Sequence, residues 1–142
     1  MVEQEQESLE SLSIRAELLE RQAEQIAKQI EEIERIIMEI NRTIETLDNI
    51  KKLPDENLLP IGSGTYITVK GISNEVFISV GANFLVKKNS EEAKKILEKK
   101  IKELGKILED GRKKMQLIEG LIMDTNKKAA ALASRMKNVQ ST

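Results

Sequence analysis

The chain has 142 residues and a net charge of −1, with 33% charged but only 2% aromatic residues. A compact single core of this size normally contains more rings, so we expect long amphipathic helices instead. Cysteine and histidine are both lacking, which removes disulfides, thiolate metal sites and the usual acid–base residue at neutral pH. We therefore expect no catalytic, metal-binding or cofactor-binding residues. An enzyme is the least favoured functional hypothesis for this chain.

The charge is unevenly distributed along the chain. Residues 1–53 carry 7 basic and 13 acidic residues, whereas residues 90–142 carry 13 basic and 8 acidic ones. The near-neutral total argues against a general nucleic-acid binder. No apolar run approaches the length of a membrane span, and the acidic amino-terminal stretch lacks a signal-type apolar region. We expect a cytoplasmic protein without membrane or nucleic-acid partners.

The first segment, residues 1–53, is predicted to be one coiled-coil helix. Apolar residues recur with alternating spacings of three and four over more than five heptads, which keeps one stripe against a partner helix. This seam consists of Leu9, Leu12, Ala16, Leu19, Ala23, Ile26, Ile30, Ile33, Ile37, Ile40, Ile44 and Leu47. The helix is expected to end at Leu53, because Pro54 disfavours helical geometry in the residue before it.

The middle segment, residues 54–89, differs in composition and is predicted to form two β-hairpins. It contains both prolines, all three rings and several β-branched runs, which are typical of short strands. Glycine turns are expected at Gly62-Ser63-Gly64, Gly71–Asn74 and Gly81-Ala82-Asn83. The first of these lacks the Lys-Ser/Thr pair of a phosphate-binding loop. Because isolated hairpins are marginal and leave open edges, the segment is interpreted as an oligomerisation platform.

The third segment, residues 90–142, is predicted to be a second coiled-coil helix. Asn89 or Ser90 can cap its amino terminus. The negative charges of Glu91 and Glu92 interact favourably with the positive end of the helix dipole there. Its seam runs through Leu97, Ile101, Leu104, Leu108, Gly111, Met115, Ile118, Ile122, Thr125, Ala129, Leu132, Met136 and Val139. Gly111 and Thr125 are its two flaws.

The two seams have nearly equal length and their segments have opposite net charge. Both features favour an antiparallel coiled-coil hairpin within one chain, with Leu47 near Leu97 and Leu12 near Leu132. The predicted fold class is therefore mainly α with a small β part, as one structural unit.

The order of these segments, with "LPIGSGTYITVKG" and "VFISVGANFLVKKNSEEA" between the helices, resembles the alpha-class subunit of prefoldin, especially the archaeal kind. The beta-class subunits have one hairpin, so two hairpins favour alpha. The resemblance covers nearly the whole chain. It implies a hexamer of two alpha and four beta subunits, in which the strands form an oligomeric β-barrel.

The resemblance also implies a function and its residues. Prefoldins bind non-native proteins at coiled-coil tips and deliver them to a group II chaperonin without ATP. Client contact would then fall to apolar residues near the chain ends, namely Leu9, Leu12, Leu132, Met136 and Val139. Subunit assembly would fall to strand residues, namely Ile67, Val69, Val76, Ile78, Val80, Phe84 and Val86. The alternative is a structural or tethering coiled-coil protein that binds one defined partner.

Overall fold

The structure, a computed structural model, describes the backbone of residues 2–140 and the side chains of residues 9–139. Two long helices flank two antiparallel β-hairpins, so the predicted fold class is confirmed. The elements are α1 (Val2–Asn49), a 3₁₀ turn (Ile50–Lys52), β1 (Glu56–Gly62), β2 (Thr65–Lys70), β3 (Glu75–Ser79), β4 (Leu85–Asn89) and α2 (Ser90–Gln140). Residues 1, 141 and 142, which the predicted helical segments included, lie outside the described residues.

The first helix ends earlier than expected. Its α-helical part stops at Asn49, and the 3₁₀ turn carries the chain to Leu53. Leu53 is extended, with φ −67° and ψ 140°, as expected for a residue that precedes proline. Proline therefore fixes the position of the break, while the tighter turn occupies the last few residues before it.

The second helix begins directly after β4 and is capped by Asn89. The Asn89 Oδ1 atom accepts a hydrogen bond from the Glu92 amide at 2.8 Å, and the Asn89 side-chain amide donates to Glu92 Oε1 at 3.2 Å. This reciprocal arrangement satisfies an otherwise unpaired donor of the first turn. Of the two predicted cap residues, Ser90 has another role, because its hydroxyl donates to the side-chain oxygen of Asn74.

The chain forms two compact units, and α1 and α2 contribute to both. The helical unit consists of Met1–Glu34 and Lys106–Thr142, and the strand unit of Arg35–Gly105. In each unit the predicted seam positions are half-buried or buried, and most of the positions between them are exposed. Val139 is the exception among the seam residues, with 63% of its surface exposed.

In the helical unit the two helices run antiparallel. The Arg112 guanidinium donates to Glu34 Oε1 at 2.8 Å, and a Cβ built on Gly111 would lie 3.4 Å from Ile30 Cγ1. Counting along both helices from this pair places Leu12 opposite Ala129 and Leu9 opposite Leu132. The predicted pairing of Leu12 with Leu132 is thus displaced by about one helical turn.

The two predicted flaws of the seam lie in this unit and have simple structural explanations. Ile30 occupies the space beside Gly111, so the missing side chain is partly compensated from the other helix. Thr125 is buried, and its hydroxyl donates to the Leu121 carbonyl at 2.7 Å. The hydroxyl is therefore hydrogen-bonded within its own helix and needs no partner on the opposite helix.

In the strand unit the helices are also antiparallel. Lys94 Nζ lies 2.7 Å from Asp48 Oδ1, and Lys51 Nζ lies 3.9 Å from Glu91 Oε1. Leu47 and Leu97 line one cavity of about 300 Å³, as their predicted proximity requires. Two apolar side chains of this unit are buried, Ile40 on α1 and Ala93 on α2.

Each hairpin is a separate two-stranded sheet. Strand β1 pairs with β2 and β3 with β4, with no ladder between the two pairs among the described residues. Ser63 and Gly64 form the first turn with φ 48° and 69°, the geometry of a tight type I′ connection. In the turn of the β3–β4 hairpin, Ala82 and Asn83 have φ 49° and 63°. The predicted glycine turns therefore lie between the strands as expected.

Candidate functional site

All three rings of the chain are exposed on the hairpins. Tyr66, Phe77 and Phe84 expose 57%, 66% and 69% of their surface. Large side chains of this kind contribute most of the apolar area of protein interfaces and are rarely left uncovered together. The hairpins therefore have the composition of a surface that is buried by another chain.

The β1–β2 hairpin is apolar on both faces. The strand register pairs Leu59 with Ile67 on one face and Pro60 with Tyr66 on the other. Leu58, Leu59 and Ile67 are all exposed, and Val69 and Asn57 are only half-buried. Two apolar faces need two covering layers, which a single hairpin cannot provide for itself.

The β3–β4 hairpin has one face against the helices and one facing away. Val76 and Ile78 line the 300 Å³ cavity together with Thr43, Ala93 and Leu97, so this face lies against α1 and α2. Phe77 and Leu85 point to the opposite face and are exposed. The hairpin is fixed at its base, where the Ser90 amide donates to the Asn74 carbonyl at 3.0 Å.

The residues predicted for subunit assembly are therefore in different environments. Val69, Val76, Ile78 and Val86 are half-buried within the chain, whereas Ile67, Val80 and Phe84 are exposed. The sequence-based prediction selected one face of β2, of β3 and of β4 and no residue of β1, so it left out other exposed apolar residues of the strands. These are Leu58, Leu59, Ile61, Tyr66, Phe77 and Leu85. The strict alternation along β3 and β4 could have indicated that Phe77 and Leu85 share a second apolar face.

The residues predicted for client contact lie in the helical unit. Leu9, Leu12, Leu132 and Met136 are half-buried seam residues, and Val139 is exposed. The register from Ile30 and Gly111 places Leu9 level with Leu132, which brings residues from both chain ends to one end of this unit. The structure thus groups these five residues, while their contact with a client stays a prediction.

One lysine in the strand unit, Lys94, has a shifted pKa. The hydrogen bond from Lys94 to Asp48, together with the attraction of that carboxylate, raises the pKa of Lys94 above its ordinary value of 10.5. The charges of Glu98 and Glu91 act in the same direction. Ion pairing of this kind connects α1 to α2 beside the hairpins and has no catalytic geometry.

The described part of the chain has neither a membrane-spanning helix nor a cluster of metal-ligating side chains. Within residues 2–140 no helix is both long and apolar enough to cross a bilayer. Among the described side chains no three acidic residues come together as candidate metal ligands.

Paired long helices with exposed apolar hairpins define a class of protein, the coiled-coil subunits that assemble through strands. The family profile described as prefoldin subunit matches residues 19–136, and the chain belongs to the prefoldin family. It is 33% identical over 102 residues to prefoldin subunit alpha of Pyrococcus horikoshii, a match that covers 68% of this chain and 63% of that protein. It is 31% identical over 102 residues to prefoldin subunit alpha of Thermofilum pendens, covering 70% and 68%.

A solved structure shows the same fold. The chain is similar to a filamentous PFD from Methanocaldococcus jannaschii determined by cryo-electron microscopy, with a TM-score of 0.59 and 24% identity. The match covers 84% of this chain and 95% of that one. The alpha-type relatives and the two hairpins between the helices agree with the archaeal alpha type that the sequence indicated.

Proposed function

We propose that the chain is a subunit of an ATP-independent hexameric chaperone that holds non-native proteins at its helix ends and delivers them to a group II chaperonin. In this proposal two copies combine with four beta-class prefoldin subunits in the cytoplasm, and the chain has no enzymatic activity of its own. The observation that carries it is the exposure of Tyr66, Phe77 and Phe84 on the two hairpins, whose four strands all have an open edge. Membership of the prefoldin family and the alpha-type relatives support it.

Assembly depends on covering the strands. Phe77 and Leu85 lie on the face of the hairpin opposite Ile78 and Val86 and are exposed, so a polar residue there changes mainly the outer face. The Phe77 position also borders the cavity under β3. The residues Ile67, Val69, Val76, Ile78, Val80, Phe84 and Val86 belong to the same proposal, some as direct contacts and some as support for the sheet.

The assembly test compares Phe77→Asp with Phe77→Leu when each chain is mixed with a beta-class subunit. Leucine keeps the outer face of β3 apolar, so this variant controls for the loss of the ring and leaves the new charge as the difference. We expect Phe77→Asp to prevent the hexamer and Phe77→Leu to allow it, as measured by native mass spectrometry. A hexamer of wild-type yield from Phe77→Asp would exclude that outer face from the assembly surface.

Client holding is proposed for the chain ends, because single apolar contacts are weak and several together give useful avidity. Removing residues 1–12 and 132–142 deletes Leu9, Leu12, Leu132, Met136 and Val139 and leaves the hairpins and most of the seam. In the hexamer, with the beta subunits also shortened, this deletion should largely abolish protection of several unrelated denatured proteins from aggregation without ATP. Full protection by the shortened hexamer would place client binding elsewhere, and binding to a single folded partner would favour a tether.

A further inference from the structure

Two hydrogen bonds join the residue before β3 to the first residue of α2. The Ser90 amide donates to the Asn74 carbonyl at 3.0 Å, and the Ser90 hydroxyl donates to the side-chain oxygen of Asn74. Ser90 exposes only 4% of its surface, and Asn74 is half-buried. A buried hydroxyl that loses its acceptor is costly, because water does not replace that acceptor.

This Asn74–Ser90 pair is the second attachment of the β3–β4 hairpin to α2. The first attachment is covalent, since β4 ends at Asn89 and α2 begins at Ser90 without a linker. The strand ladder ends with Glu75 opposite Asn89, so the pair continues the ladder by one position into the helix. One attachment would leave the hairpin free to turn about β4, whereas an attachment at the base of each strand fixes its orientation.

Orientation matters because both faces of this hairpin are apolar. On the inner face Ile78 lies opposite Val86, and both are half-buried. On the outer face Phe77 and Leu85 expose 66% and 65% of their surface. Burial of apolar area is not directional, so by itself it would allow either face to lie against the helices. Hydrogen bonds are directional and can select one face.

The Asn74–Ser90 pair is placed to select the inner face. Asn74 precedes Val76 by two residues, the interval that keeps side chains on one face of a strand. Ala93 follows Ser90 by three residues, the interval of neighbours on one helix face, and is 1% exposed. Val76, Ile78 and Ala93 line the same cavity of about 300 Å³. The two hydrogen bonds therefore hold this face of the hairpin beside α2.

The β1–β2 hairpin is attached differently. Its base is closed on itself, because the Gly71 amide donates to the Asp55 carbonyl at 3.2 Å. Within the part of the chain that the structure describes, no hydrogen bond or ion pair connects Glu56–Lys70 to either helix. Orientation by a polar contact with α2 is therefore a property of the β3–β4 hairpin.

We propose that Asn74 and Ser90 are positioning residues for subunit assembly, because they decide which face of the β3–β4 hairpin is presented to a partner subunit. This inference rests on the proposed assembly through the strands. The two residues act through Phe77 and Leu85, which they keep on the outer face. Without the side-chain hydrogen bond the hairpin remains joined to α2, but its two faces are no longer assigned to the helices and to the partner.

Orientation is measured by thiol labelling of the full-length chain, which has no cysteine of its own. Leu85→Cys places a thiol on the outer face, and Val86→Cys places one on the inner face. The outer thiol should react faster in the otherwise wild-type chain. Adding Ser90→Ala should lower the ratio of outer to inner rate about fivefold, the effect expected for losing one hydrogen bond. An unchanged ratio would overturn the proposal.

Matched variants test whether the effect belongs to the pair. Ser73→Ala also removes a hydroxyl beside β3, but that hydroxyl accepts from the Glu75 amide within the hairpin, so the ratio should stay at the wild-type value. Asn74→Asp keeps an oxygen acceptor for Ser90 and should also retain the ratio, whereas Asn74→Leu, of similar size, should lower it. An equal fall for Ser73→Ala or for Asn74→Asp would contradict a role of this hydrogen bond.

A further probe separates positioning from general stability. Ile40→Cys places a thiol at a buried seam position of the same unit, where labelling reports loosening of the two helices. Ser90→Ala should leave its labelling rate close to that in the wild type. If labelling at Ile40→Cys increased by the same factor as at Val86→Cys, Ser90 would only stabilise the fold and the positioning role would be wrong.

The consequence for assembly is measured by titrating the chain with a beta-class subunit in analytical ultracentrifugation. Ser90→Ala and Asn74→Leu should each raise the dissociation constant about fivefold, and Asn74→Asp should leave it unchanged. Wild-type affinity of the first two variants would overturn the role in assembly. A wild-type chain that did not assemble with that subunit would refute the proposed function itself, which distinguishes that failure from an error about Asn74 and Ser90.

Discussion

The seam of the strand unit and the seam of the helical unit follow one heptad pattern with different residues. In the strand unit every seam position that the heptads predicted, from Ile37 to Leu47 and from Leu97 to Leu104, is isoleucine or leucine. In the helical unit the seam also contains Ala16, Ala23, Gly111, Thr125 and Ala129. Branched aliphatic residues bury more apolar area per layer. The seam beside the hairpins is therefore the more stable one, and the seam of the helical unit is the weaker.

The largest expected effect is on the stability of the folded chain, when the same isoleucine-to-alanine substitution is made in each of the two seams. Ile40→Ala removes a buried side chain of the strand unit and should destabilise the folded chain by about 2–5 kcal/mol. Ile30→Ala, in the helical unit, should cost less because Ile30 is only half-buried and faces Gly111. Thermal unfolding followed by circular dichroism on the assembled protein measures both.

Ile14→Ala is the matched control for these two variants, because Ile14 is exposed. Its effect should stay within about 0.5 kcal/mol, as for other exposed surface positions. A loss at Ile30 equal to that at Ile40 would contradict the difference between the two seams.

The next effect is a gain of stability in the weaker seam. Gly111→Ala replaces a poor helix former and should stabilise α2 by about 1 kcal/mol. The new methyl group would lie 3.4 Å from Ile30 Cγ1, an ordinary contact, so it should also add apolar contact across the seam.

Gly120→Ala separates these two contributions. It gives the same helix-propensity gain, but no atom lies within 4 Å of the new methyl group. The melting temperature should rise at least as much for Gly111→Ala as for Gly120→Ala. A fall for Gly111→Ala alone would show that the contact with Ile30 is too close and that the seam requires glycine.

The smallest effect concerns the ion pair in the strand unit. Asp48→Asn removes the negative charge that pairs with Lys94 and leaves a neutral amide oxygen in its place, so it should lower the melting temperature slightly at neutral pH. Because the folded state raises the pKa of Lys94, its contribution is present below the ordinary value of 10.5 and is lost as the pH rises through the folded value. The difference between variant and wild type should therefore shrink in the alkaline range. A difference that grew with pH would show that Lys94 is not the group responsible.

Much of the fold follows from the spacing of apolar residues and from turn chemistry. The heptads predicted which helix positions are covered, including the imperfect Gly111 and Thr125, because period 3.5 allows only one stripe to face a partner. The turns at Gly62-Ser63-Gly64 and Gly81-Ala82-Asn83 were predicted because glycine and asparagine adopt positive φ at low cost. The cap at Asn89 was one of two alternatives that the sequence left open.

The end of α1 is a place where the sequence predicted the limit of the helix but not its last turn. Pro54 determined that α1 could not pass Leu53, but the change to a 3₁₀ turn at Ile50 depends on how the chain enters β1. Helix termini often tighten in this way, and the sequence has no separate signal for it.

By itself the sequence determined two coiled-coil helices and two hairpins between them, because each rests on local periodicity and local turns. The order of these segments also resembled one family, which the family profile then confirmed. Only the tertiary structure decided the register that sets Ile30 against Gly111 and displaces Leu12 from Leu132. Equal seam lengths allow neighbouring registers one turn apart, and long-range packing selects among them. The structure also decided that Val76 and Ile78 face the helices while Phe77 and Leu85 remain uncovered. Alternation in a strand defines two faces but does not say which face the rest of the chain covers.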